Sequence, residues 1–255
     1  MDFRFAIGGL VVGLLTGLSG VGGGALMMPL LVMLFGLSPL VAVGTDLAYS
    51  VPTRILGAVV HARQETINRK LVLLLCIGGV PGALVGLLAL TYLRGHVGLD
   101  QLNVLVKHVV GILLIAVAAI ILGAQLVSKQ RAEEIMALRP RAPIIVAVAA
   151  VVGFLVSVTS IGAGSITLTM LALILPRFRL RDLVGSDLAF AAVIVPVAAL
   201  GHFGLGSINL PVTGALLLGA LPGVYIGSRL CALLPSKYVR PAIAGVMVLT
   251  GAKLL

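Results

Sequence analysis

A chain of 255 residues with 60% hydrophobic and 10% charged side chains cannot bury its apolar surface in a water-soluble fold of this size. Its 32 Gly and 12 Pro do not make it disordered, because disorder requires low hydrophobicity. The net charge of +10 comes from basic residues in short links between apolar runs. That is the distribution of cytoplasmic loops, and with no continuous basic stretch it excludes nucleic acid as a partner.

A spanning helix takes roughly 20 apolar residues, so the sequence predicts an all-α polytopic membrane protein. The first half reads as segments 4–19, 25–35, 40–61, 71–93 and 103–127. A polar stretch follows, carrying Lys129, Arg131, Arg139 and Arg141. The second half reads as 142–160, 165–176, 183–201, 210–233 and 241–255. Segments 25–35 and 165–176 are too short to span: at about 1.5 Å per residue they reach about half of the hydrocarbon core. They are expected as broken or re-entrant Gly-rich helices. A count of four full spans per half is the competing description.

The two halves are related in sequence. Gly13, Leu15, Gly22 and Gly24 recur 140 positions later as Gly153, Leu155, Gly162 and Gly164. From Val43 to Gly86 a shift of 141 gives 14 identities in 44 positions, against roughly four by chance in so skewed a composition. VGTDLAY at 43–49 meets VGSDLAF at 184–190, and His61 meets His202. The expected organisation is a first transmembrane repeat at 1–128, a cytoplasmic inter-repeat loop at 129–141, and a second repeat at 142–255. The basic residues swap sides between the halves. The link 36–39 has no charge, while its counterpart 176–182 has Arg177, Arg179 and Arg181; the link 62–70 has Arg63, Arg69 and Lys70, while 203–211 has none. Under the positive-inside rule this predicts two inverted-topology repeats of about four to five segments each.

Short, glycine-interrupted segments at matching places in two halves point to a transporter binding site. The run SGVGGG at 19–24 cannot stay a regular helix without cost, roughly 1 kcal/mol per Gly. Where a helix restarts after it, the first N–H groups lack partners and carry partial positive charge, which suits an anion. The candidate substrate-binding residues are Ser19, Gly20, Gly22, Gly23 and Gly24 in the first half. Thr159, Ser160, Gly162, Gly164 and Ser165 offer the same arrangement in the second. Close helix packing through small residues is the bland alternative for these runs.

Asp46 and Asp187 are ionisable residues inside apolar segments, where such groups are expensive. Two roles stay open for them: carboxylates at helix starts, or proton acceptors that couple protons to transport. Arg54 lies on the face of Asp46, about 12 Å further along the helix. Its repeat counterpart is Val195, so it breaks the symmetry. It reads as a lining residue of the site or as an anchor snorkelling to the interface. His61 and His202 stand at segment ends and read as interfacial hydrogen-bonders, with no further ligand at metal spacing.

The doubled GLSGVGGG…VGTDLAY pattern resembles the TauE/SafE-type sulfite exporter family, most specifically over Gly13 to His61. The second half departs from that pattern: Ala163 stands for Gly23, Ser160 for Gly20, and no Pro matches Pro29. The resemblance implies a multi-pass transporter in the cytoplasmic membrane that moves small anions such as sulfite, sulfonates or related organic acids.

The expected function is therefore a secondary transporter of small, sulfur-containing anions, exporting them with protons by alternating access. Its partners are the anion and the lipid bilayer, with homo-oligomerisation left open. No nucleotide or cofactor motif is present, and neither a nucleophile–base pair nor a metal cluster marks an enzyme. An anion channel is the nearest alternative; an intramembrane enzyme or a non-transporting scaffold stands further off.

Overall fold

The computed structural model describes residues 3–19, 24–126, 142–175, 178–231 and 236–255. These residues form helices joined by short turns, with no strand among them. The helices are α1 (Phe3–Ser19), α2 (Gly24–Met33), α3 (Pro39–Arg63), α4 (Arg69–Leu126) and α5 (Ala142–Thr159). They continue as α6 (Ile166–Ile174), α7 (Leu180–Gly204), α8 (Leu210–Cys231) and α9 (Ser236–Leu254). The stretch 129–141, expected as the cytoplasmic inter-repeat loop, lies outside the described residues.

Three helical stretches are long and apolar enough to cross a membrane: Arg69–Gly123, Ala142–Thr159 and Arg181–Gly204. The two short segments form the short helices α2 and α6, of 10 and 9 residues. The segments expected at 71–93 and 103–127 are two helical arms of α4 that meet at Gly98, whose φ of 76° and ψ of 164° are not helical. One glycine absorbs the whole change of direction, because only a residue without Cβ takes that backbone conformation cheaply.

The tightest packing joins elements from different halves. α1 lies against α8, α5 against the first arm of α4, α3 against α7, and α9 against α4. Glycines set the spacing. A Cβ at Gly78 would sit 2.0 Å from the Val146 carbonyl oxygen, and one at Gly82 the same distance from that of Ala150. In the α1–α8 pair a Cβ at Gly219 would sit 1.8 Å from Ala6 O, and one at Gly223 2.4 Å from Leu10 O. These four contacts correspond one to one under the offsets read in the sequence: Gly78 with Gly219, Val146 with Ala6, Gly82 with Gly223, and Ala150 with Leu10. Small residues let helix backbones approach where apolar burial alone gives little preference for protein over lipid.

The turns repeat as well. After α3, Glu65 takes φ 55° and Thr66 N–H bonds His61 O; after α7, Gly206 takes φ 62° and Ser207 N–H bonds His202 O. Each turn folds back onto the start of the opposite long helix. Gly44 of α3 packs on Ser207, and Gly185 of α7 packs on Thr66, while Gly57 meets Leu188 between them. The sequence-related helices α3 and α7 therefore run antiparallel. Apolar side chains such as Leu88 (67% exposed) and Leu200 (72% exposed) face outward, as a surface against lipid requires.

Candidate functional site

The site forms where α5 stops. Thr159 ends the helix, and its hydroxyl turns back to the Leu155 carbonyl at 2.7 Å. Ser160 then takes φ 60°, Gly162 φ 147° and Gly164 φ 95°. These positive values break the helix and lead the chain into α6. The Gly162 carbonyl accepts from the Ile166 and Thr167 N–H groups and from the Thr167 hydroxyl, all at 3.1 Å. An irregular stretch is tolerated at membrane depth only when buried in protein or lining a cavity. Residues 160–165 are buried throughout.

Three ionisable side chains meet this linker. The Ser160 hydroxyl donates to Asp46 Oδ2 at 2.6 Å, reaching from one half of the sequence into the other. Arg54 Nη2 donates to the Ala163 carbonyl at 2.9 Å. The Asp187 carboxylate is faced by the Gly164 N–H and the Thr167 hydroxyl. Asp46 is 0% and Asp187 2% exposed. In each of them Oδ1 has no hydrogen-bond partner among the described residues. The Arg54 guanidinium acts electrostatically on both carboxylates.

Both aspartates also lie at half-helix starts. Asp46 Oδ2 presses on Gly24, the first residue of α2, where a Cβ would sit 2.9 Å from it. Asp187 lies beside Gly164, just before α6. The positive ends read in the sequence as anion sites thus each face a carboxylate that is part of the protein.

This arrangement distinguishes the candidate residues. Gly24, Thr159, Ser160, Gly162, Gly164, Arg54, Asp46 and Asp187 come together around the linker, with Ser165 completing it at the start of α6. The Ser19 backbone closes α1, and Gly20, Gly22 and Gly23 lie outside the described residues. Arg54 does not snorkel; its guanidinium is turned into the protein.

Sequence reasoning missed the use made of the residues before each aspartate. Thr45 Oγ1 accepts from the Asn209 N–H at 3.1 Å, and Ser186 Oγ from the Asn68 N–H at 3.0 Å. Each clamps the opposite half's loop, which leaves it unavailable to a substrate. The histidines clamp the same loops. His61 Nδ1 lies 2.8 Å from Thr66 Oγ1, and His202 Nδ1 2.8 Å from Ser207 Oγ. His202 Nε2 also donates to the Ser157 carbonyl, so His202 is a buried structural group rather than an interfacial one. Among the described residues no group of three His, Cys, Asp or Glu is placed to hold a metal ion.

The profile of the family described as Sulfite exporter TauE/SafE matches residues 5–254. The chain belongs to the TauE/SafE family. It is a membrane transporter. A similar protein is the probable membrane transporter protein YjnA of Bacillus subtilis, 36% identical over 260 residues and the full length of both chains. Another from that organism, the probable membrane transporter protein YdhB, is 28% identical over 252 residues, covering 94% of this chain and 96% of its own. No solved structure matches this TauE/SafE member.

Proposed function

We propose that the protein is a secondary transporter of the cytoplasmic membrane that exports a small sulfur-containing anion, together with protons, by alternating access. The observation that carries this reading is the six-residue linker 160–165, on which Arg54, Asp46 and Asp187 converge beside the starts of α2 and α6. A guanidinium and two helix N-termini supply positive potential without an aqueous shell, which suits a sulfite or sulfonate oxygen cluster. The two carboxyls supply groups that bind and release protons. The family's description as sulfite exporters supports the substrate class and the direction.

The two halves are proposed to have inverted topology. The sequence-related helices α3 and α7 run antiparallel, so an axis exchanging them lies across the helices rather than along them. The last segments of the two halves are arranged the same way: Gly111 of α4 packs near Leu254 of α9, and Gly251 of α9 near Ile115 of α4. Such an axis lets one half open outward in the arrangement in which the other opens inward. The test is efflux of sulfite, sulfoacetate, thiosulfate and chloride from proteoliposomes, with and without a pH gradient. Flux of sulfur oxyanions stimulated by the gradient is expected. Absence of flux for every anion would refute the transporter of small anions.

A further inference from the structure

The site contains two fully buried carboxylates, each with an oxygen that no donor among the described residues reaches, in a place otherwise built to attract an anion. An orphaned charged oxygen in a dry interior costs several kcal/mol, so its persistence calls for a reason. The described surroundings hold few groups to offset it. Tyr49 and Arg54 on α3 act on Asp46, and Arg54 alone among charged side chains acts on Asp187. α2 and α6 carry no titratable side chain. The positive potential is fixed: one guanidinium and two helix starts.

We propose that Asp46 and Asp187 are internal stand-ins for the transported anion, so that each negative charge brought in by substrate is matched by protonation of one carboxylate. This rests on the anion-transport reading. The fixed positive potential balances a fixed number of negative charges, and an added one in a low-dielectric site is strongly repelled. A monovalent anion therefore enters with one proton: the carboxylate oxygen forms an O–H bond, its charge is lost, and the anion takes its place at the helix start and Arg54. No covalent bond to the anion forms. A divalent anion needs both carboxyls and two protons. On release each carboxyl gives its proton to the same side as the anion and returns to its helix start, which closes the empty site against water and free ions.

The geometry gives Arg54 a single shared part. Its counterpart in the other half is Val195, so one guanidinium serves both carboxylates, and it meets the bound anion from whichever half opens. Ser160 holds Asp46 by one oxygen only, leaving Oδ1 to receive the proton.

The test uses the full chain in proteoliposomes and isethionate, a sulfonate that stays singly charged across the assay range. Proton movement is read with an internal pH dye and the potential is clamped with potassium and valinomycin. The expected result is one proton per isethionate, flux indifferent to the clamped potential, and apparent affinity rising about tenfold per pH unit of acidification while a carboxylate must be neutralised. Asp46→Asn and Asp187→Asn each leave a single carboxylate against the same positive potential, so each is expected to take up isethionate without a proton and in response to the potential. The double variant is expected to move isethionate without protons and in response to potential. Potential-driven isethionate flux without protons in the native protein would overturn the proposal while leaving anion transport standing. Protons still moving with the anion in a folded double variant would overturn it too. If the double variant does not fold, the native ratio decides alone. No flux of any anion would instead overturn the transport reading beneath it.

Discussion

Removing the Ser160 hydroxyl isolates one of the contacts that join the two halves at the site. Its 2.6 Å hydrogen bond reaches Asp46 Oδ2, and Asp46 Oδ1 has no partner among the described residues. Ser160→Ala therefore leaves a buried carboxyl without its hydroxyl donor, at a cost of about 1–3 kcal/mol. The upper part of that range applies if the carboxyl is ionised. Ser160→Gly loses the same bond but relieves the left-handed backbone, since φ is 60° at this residue; that relief is worth about 1 kcal/mol. Glycine should accordingly be the milder of the two, and Gly20 does stand at the corresponding place in the first half. The assay is equilibrium unfolding of purified protein in detergent, run as a double-mutant cycle with Asp46→Asn. In that background the Ser160→Ala cost should fall to about 0.5–1.5 kcal/mol, the value of a neutral hydrogen bond. A Ser160→Ala variant as stable as the native protein, or more stable than Ser160→Gly, would refute the reasoning.

Gly82→Leu should prevent stable assembly of α4 with α5, because even a Cβ would lie 2.0 Å from the Ala150 carbonyl; the loss should show as aggregation on size exclusion. Gly245→Ala, facing open space on α9, should instead be neutral or stabilise by up to about 1 kcal/mol. Inverted topology predicts that, in a background lacking Cys76 and Cys231, cysteines at Ser38 and Gly204 label from outside and cysteines at Gln64 and Arg179 from the cytoplasm. Labelling of Ser38 and Gly204 from opposite sides would refute it. His202→Leu should cost about 1–3 kcal/mol, since the ring bonds both the Ser157 carbonyl and the Ser207 hydroxyl in a buried position; unchanged thermal unfolding would count against that role.

The sequence already carried the features that depend on local pattern. Short apolar segments bounded by Gly runs became α2 and α6, and matched turns after His61 and His202 became matched loops. The sequence offset even anticipated which glycines would correspond across α4–α5 and α1–α8. It did not carry the wiring between halves. Ser160 and Asp46 are 114 residues apart and Thr45 and Asn209 are 164 apart, and no periodicity says which hydroxyl meets which group. Arg54 shows the limit most clearly. Its distance along the helix allowed both a lining role and an anchor at the interface, and only the direction of its side chain, toward Ala163, separates them. How short the connection between segments 71–93 and 103–127 is was hidden for a related reason: a polar stretch between apolar runs usually marks a loop, but one positive φ at Gly98 is enough to turn the chain.

The account stands most directly on Arg54, the one cation among the described residues that both carboxylates share. Replacing it by Val, the residue at the corresponding place in the second half, removes a charge-assisted partner worth about 1.5–3 kcal/mol to a bound anion. The decisive measurement compares sulfite and isethionate flux in proteoliposomes of native and Arg54→Val protein, with folding checked by size exclusion. The prediction is a folded variant whose half-saturating anion concentration rises about tenfold to a hundredfold, or whose flux is lost. Native flux at native half-saturation in that variant would contradict the account.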